Sequence, residues 1–185
     1  MSERLDFTLH LARMGGQVLR ERFLQPREIH PKGWRDFYTD ADLTAQHTIV
    51  DLIRTHDPHS AVLAEEGLEP SAEAPAVWVI DPLDGTVNYA RHFPVFAVSI
   101  GYVERGQPQL GVVYDPLHER IFYAERQGGA WLNTDRIQAA ATADIASAMV
   151  GLDWGRGEAQ RGTCSRAGRP PRYANPGTNP IACTR

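Results

Sequence analysis

Lysine is nearly missing from this chain: Lys32 is the one lysine of residues 1–154, beside twelve arginines. That imbalance reads as codon bias more than as a functional surface. Cysteine is equally scarce. Cys164 and Cys183 both fall in the last 22 residues, which gives no case for a disulfide framework or a zinc site. No apolar run approaches the length of a membrane span, and the acidic-and-basic start, Met1 to Asp6, lacks the apolar core of a signal peptide. The expectation is a cytoplasmic protein without a membrane partner. Charge of one sign is missing from the end of the chain. Residues 155–185 carry six arginines against the single acid Glu158, a balance of +5, so residues 1–154 carry −9 of the net −4. A basic tail can bind nucleic acid. This one has a single aromatic, Tyr173, and no periodicity, which argues against that partner.

What is present is a soluble-type core. A chain of 185 residues with 42% hydrophobic content holds one domain, or one domain and an incomplete second. Leu5, Leu9, Ala12, Gly16, Leu19 and Phe23 recur at steps of four and three, the stripe of an amphipathic helix that Pro26 and Pro31 end. A polar connection through Lys32 and Gly33 follows. Thr39 with Asp42 three residues on forms a capping-box pattern, and Leu43, Val50 and Ile53 supply a second helix that stops before Asp57-Pro58. Ala61–Ala64 and Val77–Ile80 read as short buried strands. Phe93–Tyr102 and Gln109–Tyr114 flank a hairpin signal, Arg120–Glu125 is a further strand, and Ser147–Leu152 a possible last one. Two helices before a mainly antiparallel sheet make an α+β fold, with no βαβ alternation and no internal repeat. The expected domain covers 1–154. Residues 155–185, with five Gly, four Pro and six Arg, cannot bury enough surface to offset their ordering entropy and are expected to be disordered.

The chemistry concentrates in Trp78-Val79-Ile80-Asp81-Pro82-Leu83-Asp84-Gly85-Thr86. An apolar strand delivers two carboxylates and a hydroxyl into a Pro/Gly turn. Carboxylates so placed suit a hard divalent cation such as Mg²⁺, and a turn into a helix start offers N–H groups to a phosphate. A carboxylate directly after an apolar strand is costly to desolvate unless it meets a cation. The other acids have plainer readings. Glu65-Glu66 alone suits a solvated loop equally well, and Asp42 alone is a helix-start acid favoured by the dipole. The Asp-x-Asp-Gly-Thr motif of haloacid-dehalogenase-type phosphotransferases is not met, because its first, nucleophilic Asp is missing.

Glu65-Glu66-Gly67 and Trp78 through Tyr89 resemble the signature of the inositol monophosphatase family. His92-Phe93-Pro94-Val95-Phe96-Ala97-Val98-Ser99-Ile100, Gly111-Val112-Val113-Tyr114-Asp115-Pro116 and Gly129-Ala130-Trp131-Leu132-Asn133 resemble it too, so the similarity runs over about residues 5 to 154. The resemblance implies the first half of a layered αβαβα sugar-phosphatase fold and Mg²⁺-dependent hydrolysis of a small phosphorylated polyol or sugar, foremost myo-inositol 1-phosphate. Fructose 1,6-bisphosphate or a 3′-phosphoadenosine nucleotide is the alternative substrate, although Asn88-Tyr89 is closer to the inositol-type members. By resemblance, Glu65, Asp81 and the Leu83 carbonyl would hold a first Mg²⁺. Asp81 and Asp84 would serve a second, and Glu65 with waters a weaker third. Gly85 and Thr86 would give N–H groups to the phosphate. The Thr86 hydroxyl, with Asp42, would orient and deprotonate the attacking water. Lys32 matches a family lysine only loosely. A homodimer is compatible with the resemblance, though no interface is legible.

The chain also departs from the family. The downstream Trp-Asp motif that completes the second metal site has no counterpart; Asp153-Trp154 is reversed and early. The second αβ layer is expected to be missing. The abrupt change to Arg, Gly and Pro from about residue 162 is what a shifted reading frame in a GC-rich gene would produce. The remaining sheet is expected to expose an apolar face, with low stability and weak catalysis. A non-catalytic remnant is then the third reading.

Overall fold

The structure, a computed structural model, describes residues 2–25, 27–33, 36–68 and 74–149. The tail expected to be disordered, 155–185, lies outside the described residues. The chain divides into a compact unit of Met1–Gln138 and a second unit of Ala139–Arg185. In the second, residues 145–147 form one 3₁₀ turn, whose start is held by Asp144 Oδ1 accepting from the Ala146 N–H at 2.9 Å. The strand expected from Ser147 is not formed over 147–149, and 150–152 lie outside the described residues.

Helix α1 spans Glu3–Arg22. Ser2 caps it by accepting from the Leu5 N–H at 3.2 Å, and the first-turn acids Glu3 and Asp6 oppose the basic Arg20 and Arg22 of the last turn, as the dipole favours. Leu5, Leu9, Ala12, Gly16 and Leu19 are buried along it, so the stripe read from the sequence is the packing face. The pair Gly15-Gly16 is a close-approach device. A Cβ at Gly15 would stand 2.7 Å from Ile49 Cδ1, and one at Gly16 would stand 2.5 Å from the Tyr114 ring. Their absence lets α1 settle on its neighbours without a gap.

The supposed polar connection after α1 is a small antiparallel ribbon, β1 (Ile29–Gly33) with β2 (Asp36–Thr39). Pro31 and Lys32 obscure it in the sequence, yet a two-stranded edge tolerates a proline that a central strand would not. Helix α2 (Asp40–His56) follows directly, with Thr39 and Asp42 forming the expected capping box. It buries Ala41, Ala45, Ile49, Val50 and Ile53.

A seven-stranded sheet runs in sequence order: β3 (Ala61–Ala64), β4 (Ala76–Asp84), β5 (Ala97–Glu104), β6 (Gln107–Asp115), β7 (Arg120–Glu125), β8 (Gly129–Leu132) and β9 (Asp135–Ile137). β3 and β4 are parallel and every other pairing is antiparallel. β5 and β6 turn through Arg105 and Gly106, both at positive φ, the two-residue geometry that matches strand twist. One face packs on α1 and α2, where Trp78, Ile80, Val98, Ile100, Tyr102, Leu110, Val112 and Ile121 join the buried core. Trp78 also donates its indole N–H to Asp57 Oδ2 at 3.0 Å. The other face leaves Val79, Val113 and Phe122 exposed at 37, 41 and 37%, so the expected apolar outer surface is present on this unit.

The largest departures from the boundaries read in the sequence are at the start of β5 and the end of β4. β5 starts at Ala97, not Phe93. β4 does not end at Ile80 but carries on through Asp81-Pro82-Leu83-Asp84, with a register shift between Asp81 and Asp84 against Ser99 and Ala97. The acids therefore sit on a bulged strand end, where an irregular ladder re-aims side chains.

Candidate active site

Three chain segments meet around the start of α2. The first is α2 itself. Asp42 is 1% exposed, and its two oxygens have different partners. Oδ2 accepts the Thr39 N–H at 2.8 Å and the Thr39 hydroxyl at 2.5 Å. Oδ1 faces the Thr86 hydroxyl at 3.2 Å. Burial raises the Asp42 pKa above the ordinary carboxylate range, although the Thr39 and Thr86 hydrogen bonds pull it back. The helix-capping acid and the hydroxyl-facing acid are thus one residue.

The second segment is the turn after β4. Gly85 adopts φ +94°, and an added Cβ would stand 3.0 Å from the Val95 carbonyl oxygen, so the position needs glycine on two counts. It caps the short helix α3 (Thr86–Ala90). The Thr86 hydroxyl lies 3.0 Å from the Leu83 carbonyl as well as near Asp42. With one proton, it donates to one of these oxygens or is shared between them.

The third segment is the turn after β3. The Glu65 N–H donates to the Ile80 carbonyl at 3.2 Å, which fastens this turn beside the end of β4. The Asp81 carboxyl is pushed up to about 7, first by burial, then by the charge of Glu65 and a hydrogen bond with it, then by the charge of Asp84. The Leu83 N–H, donating to Asp81 Oδ1 at 3.1 Å, works in the opposite direction. Lys32 on β1 pairs with Glu66 and stands 3.6 Å from Glu65. Glu66 is itself buried, and desolvation outweighs the Lys32 pairing to raise its pKa.

The structure therefore brings Asp42 to Thr86 and Glu65 to Asp81, while Asp84 acts on Asp81 through its charge. Among the described residues no three acidic, His or Cys side chains close a ready cation cage. The donor chemistry still fits a hard divalent ion. Two carboxyls pressed together, with a third charge beside them, are destabilised by repulsion that a cation relieves. The Thr39–Asp42 pairing is the capping box read from the sequence; Gln46 escaped that reading, its only signal being its spacing of four from Asp42.

The sequence model described as the Inositol monophosphatase family matches residues 1–161, and the chain belongs to that family. It is 38% identical over 144 residues to a fructose-1,6-bisphosphatase/inositol-1-monophosphatase of Thermotoga maritima, covering 77% of this chain and 56% of that one. It is 36% identical over 148 residues to the Nus factor SuhB of Escherichia coli, covering 78% and 55%. Among solved structures, an IMPase of Thermotoga maritima superposes with a TM-score of 0.74 at 36% identity, over 78% of this chain and 57% of that one. The extragenic suppressor protein suhB of Bartonella henselae gives 0.73 at 30%, over 76% and 56%. The chain thus spans about half the length of the relatives it matches.

Proposed function

We propose that this chain carries the cation- and phosphate-binding part of a Mg²⁺-dependent phosphomonoesterase. Glu65, Asp81, Asp84 and the Leu83 carbonyl would hold two or three Mg²⁺ ions, and Gly85 and Thr86 would receive the substrate phosphate on their N–H groups. When bound, such ions neutralise the entering and leaving oxygens and lower the pKa of a water. The protein's own part is proton handling and placement. Thr86 orients the attacking water through its hydroxyl; as its own proton moves to Asp42 Oδ1, the Thr86 oxygen takes the proton that the water gives up, so that Thr86 ends as a neutral hydroxyl. Asp42 is suited to accept the Thr86 proton: it is buried, its pKa is raised, and Thr39 fixes its other oxygen. No covalent intermediate is needed.

The observation that carries this reading is the Asp81 carboxyl, held against Glu65 near Asp84 and pushed up to about 7. Lys32 pairs with Glu66 and stands 3.6 Å from Glu65. The proposed substrate is myo-inositol 1-phosphate, with fructose 1,6-bisphosphate as the second choice; the name of the Thermotoga maritima relative covers both activities. The test is release of inorganic phosphate from each substrate, with Mg²⁺ and with EDTA, by the wild type and Asp84→Asn. Release that needs Mg²⁺ and falls at least tenfold in Asp84→Asn supports the proposal. Equal release by both proteins would sink it.

A further inference from the structure

The role of α2 extends beyond Asp42. One helical turn on, at the same face, lies Gln46, 3% exposed. Its side-chain amide meets both backbone groups of a single residue in the turn after β3. Nε2 donates to the Glu66 carbonyl at 3.1 Å, and Oε1 accepts the Glu66 N–H at 3.2 Å. Such a two-point clasp fixes a peptide's position and rotation together, as one rung of a strand ladder would. The turn has one rung of its own, the antiparallel Ala64–Leu68 bridge at its base, and the Glu66 peptide at its tip is held by Gln46. The Glu66 side chain is held separately by Lys32, and the Glu65 N–H is tied to Ile80. The direction in which Glu65 projects towards Asp81 is therefore set on one side by β4 and on the other by Gln46.

We infer that Gln46 is a positioning residue for the Glu65 carboxylate, so that α2 aligns both halves of the site, Thr86 through Asp42 and the Glu65 turn through Gln46. This rests on the cation-binding reading proposed above. Residues that orient a ligand from behind affect metal affinity by about 10–100-fold when removed. A merely structural amide would change stability alone.

The experiment is a Mn²⁺ titration of the full chain by electron paramagnetic resonance, with the metal alone as probe. Wild type is compared with Gln46→Met, which keeps the shape and loses both hydrogen bonds. Gln46→Glu keeps the acceptor for the Glu66 N–H but sets an oxygen against the Glu66 carbonyl. Ile121→Val, a core truncation on β7, serves as the stability control. The expected result is Mn²⁺ affinity at least tenfold weaker in Gln46→Met, an intermediate loss in Gln46→Glu, and no loss in Ile121→Val. A folded Gln46→Met with wild-type affinity overturns the inference and leaves the cation reading standing. Should Gln46→Met fail to fold, wild-type affinity in Gln46→Glu overturns it equally. Wild type that binds no Mn²⁺ refutes the cation reading, and the inference falls with it.

Discussion

Replacing Asp81 with Asn should make the metal-free protein more stable while removing a cation ligand. The Asp81 carboxyl is carried from 3.8 to about 7 in the folded chain. Between those pH values the folded state binds more protons than the unfolded state, so this group's contribution to stability falls as pH rises. The penalty is absent below 3.8, grows through the window and is complete above 7. At about 1.4 kcal/mol for each pH unit, the shift corresponds to about 4 kcal/mol as an upper bound. Asp81 is only partly buried, and solvent screening brings the figure to about 2 kcal/mol. Asn keeps an oxygen for the Leu83 N–H and the size of the side chain, and removes only the charge. Asp42 and Glu66 are raised too, while Asp57 and Asp115 are lowered and act oppositely. The difference between variant and wild type at each pH isolates Asp81 from them. Urea unfolding in EDTA at pH 4 and pH 8 measures it. Asp81→Asn should match wild type at the acid end and exceed it by about 2 kcal/mol at pH 8. A variant no more stable than wild type at pH 8 would refute the claim that Asp81 is a repelled carboxylate.

Gly16→Ala should destabilise the fold by about 1–3 kcal/mol in urea unfolding, because its Cβ would stand 2.5 Å from the Tyr114 ring and 3.1 Å from Pro116. Gly85→Ala should cost about 1–3 kcal/mol and weaken phosphate binding measured by calorimetry, since the positive φ and the Val95 carbonyl both oppose a side chain. Trp78→Phe removes the indole bond to Asp57 and part of a side chain that is only 1% exposed. A loss of about 1–3 kcal/mol is expected. The Asp57 carboxyl, held low partly by that bond, should rise towards its ordinary range in a titration followed by NMR.

Much of the framework was legible because it follows periodicity. The four-and-three spacing of Leu5 to Phe23 became α1, the Thr39–Asp42 box opened α2, and the apolar runs at Ala61–Ala64 and Arg120–Glu125 became β3 and β7. What stayed hidden lacked a pattern in the local sequence. The β1–β2 ribbon contains Pro31 and Lys32, and β9 is three exposed residues, so neither has a pattern to read. Asp81-Pro82-Leu83-Asp84 looks like a turn because its local chemistry is that of a turn; only pairing with β5 keeps it in the sheet. At the site, the acids and the Gly-Thr pair stood out by motif. Asp42 was read both as the capping acid, from its spacing to Thr39, and as the partner of Thr86, from the family resemblance; the structure adds that the two roles use different oxygens of one side chain. Gln46 was invisible because its partners are backbone atoms twenty residues away, which carry no sequence signal.

The most direct test of the central claim is a Mg²⁺ titration of unfolding stability at pH 8, in wild type and Asp84→Asn. If Glu65, Asp81 and Asp84 form a cation site, millimolar Mg²⁺ stabilises wild type by binding the folded state alone, about 2–3 kcal/mol at a hundredfold excess over Kd, and flattens its pH dependence. Asp84→Asn gains little. No Mg²⁺ effect on wild type, or the same effect on both proteins, would contradict the account.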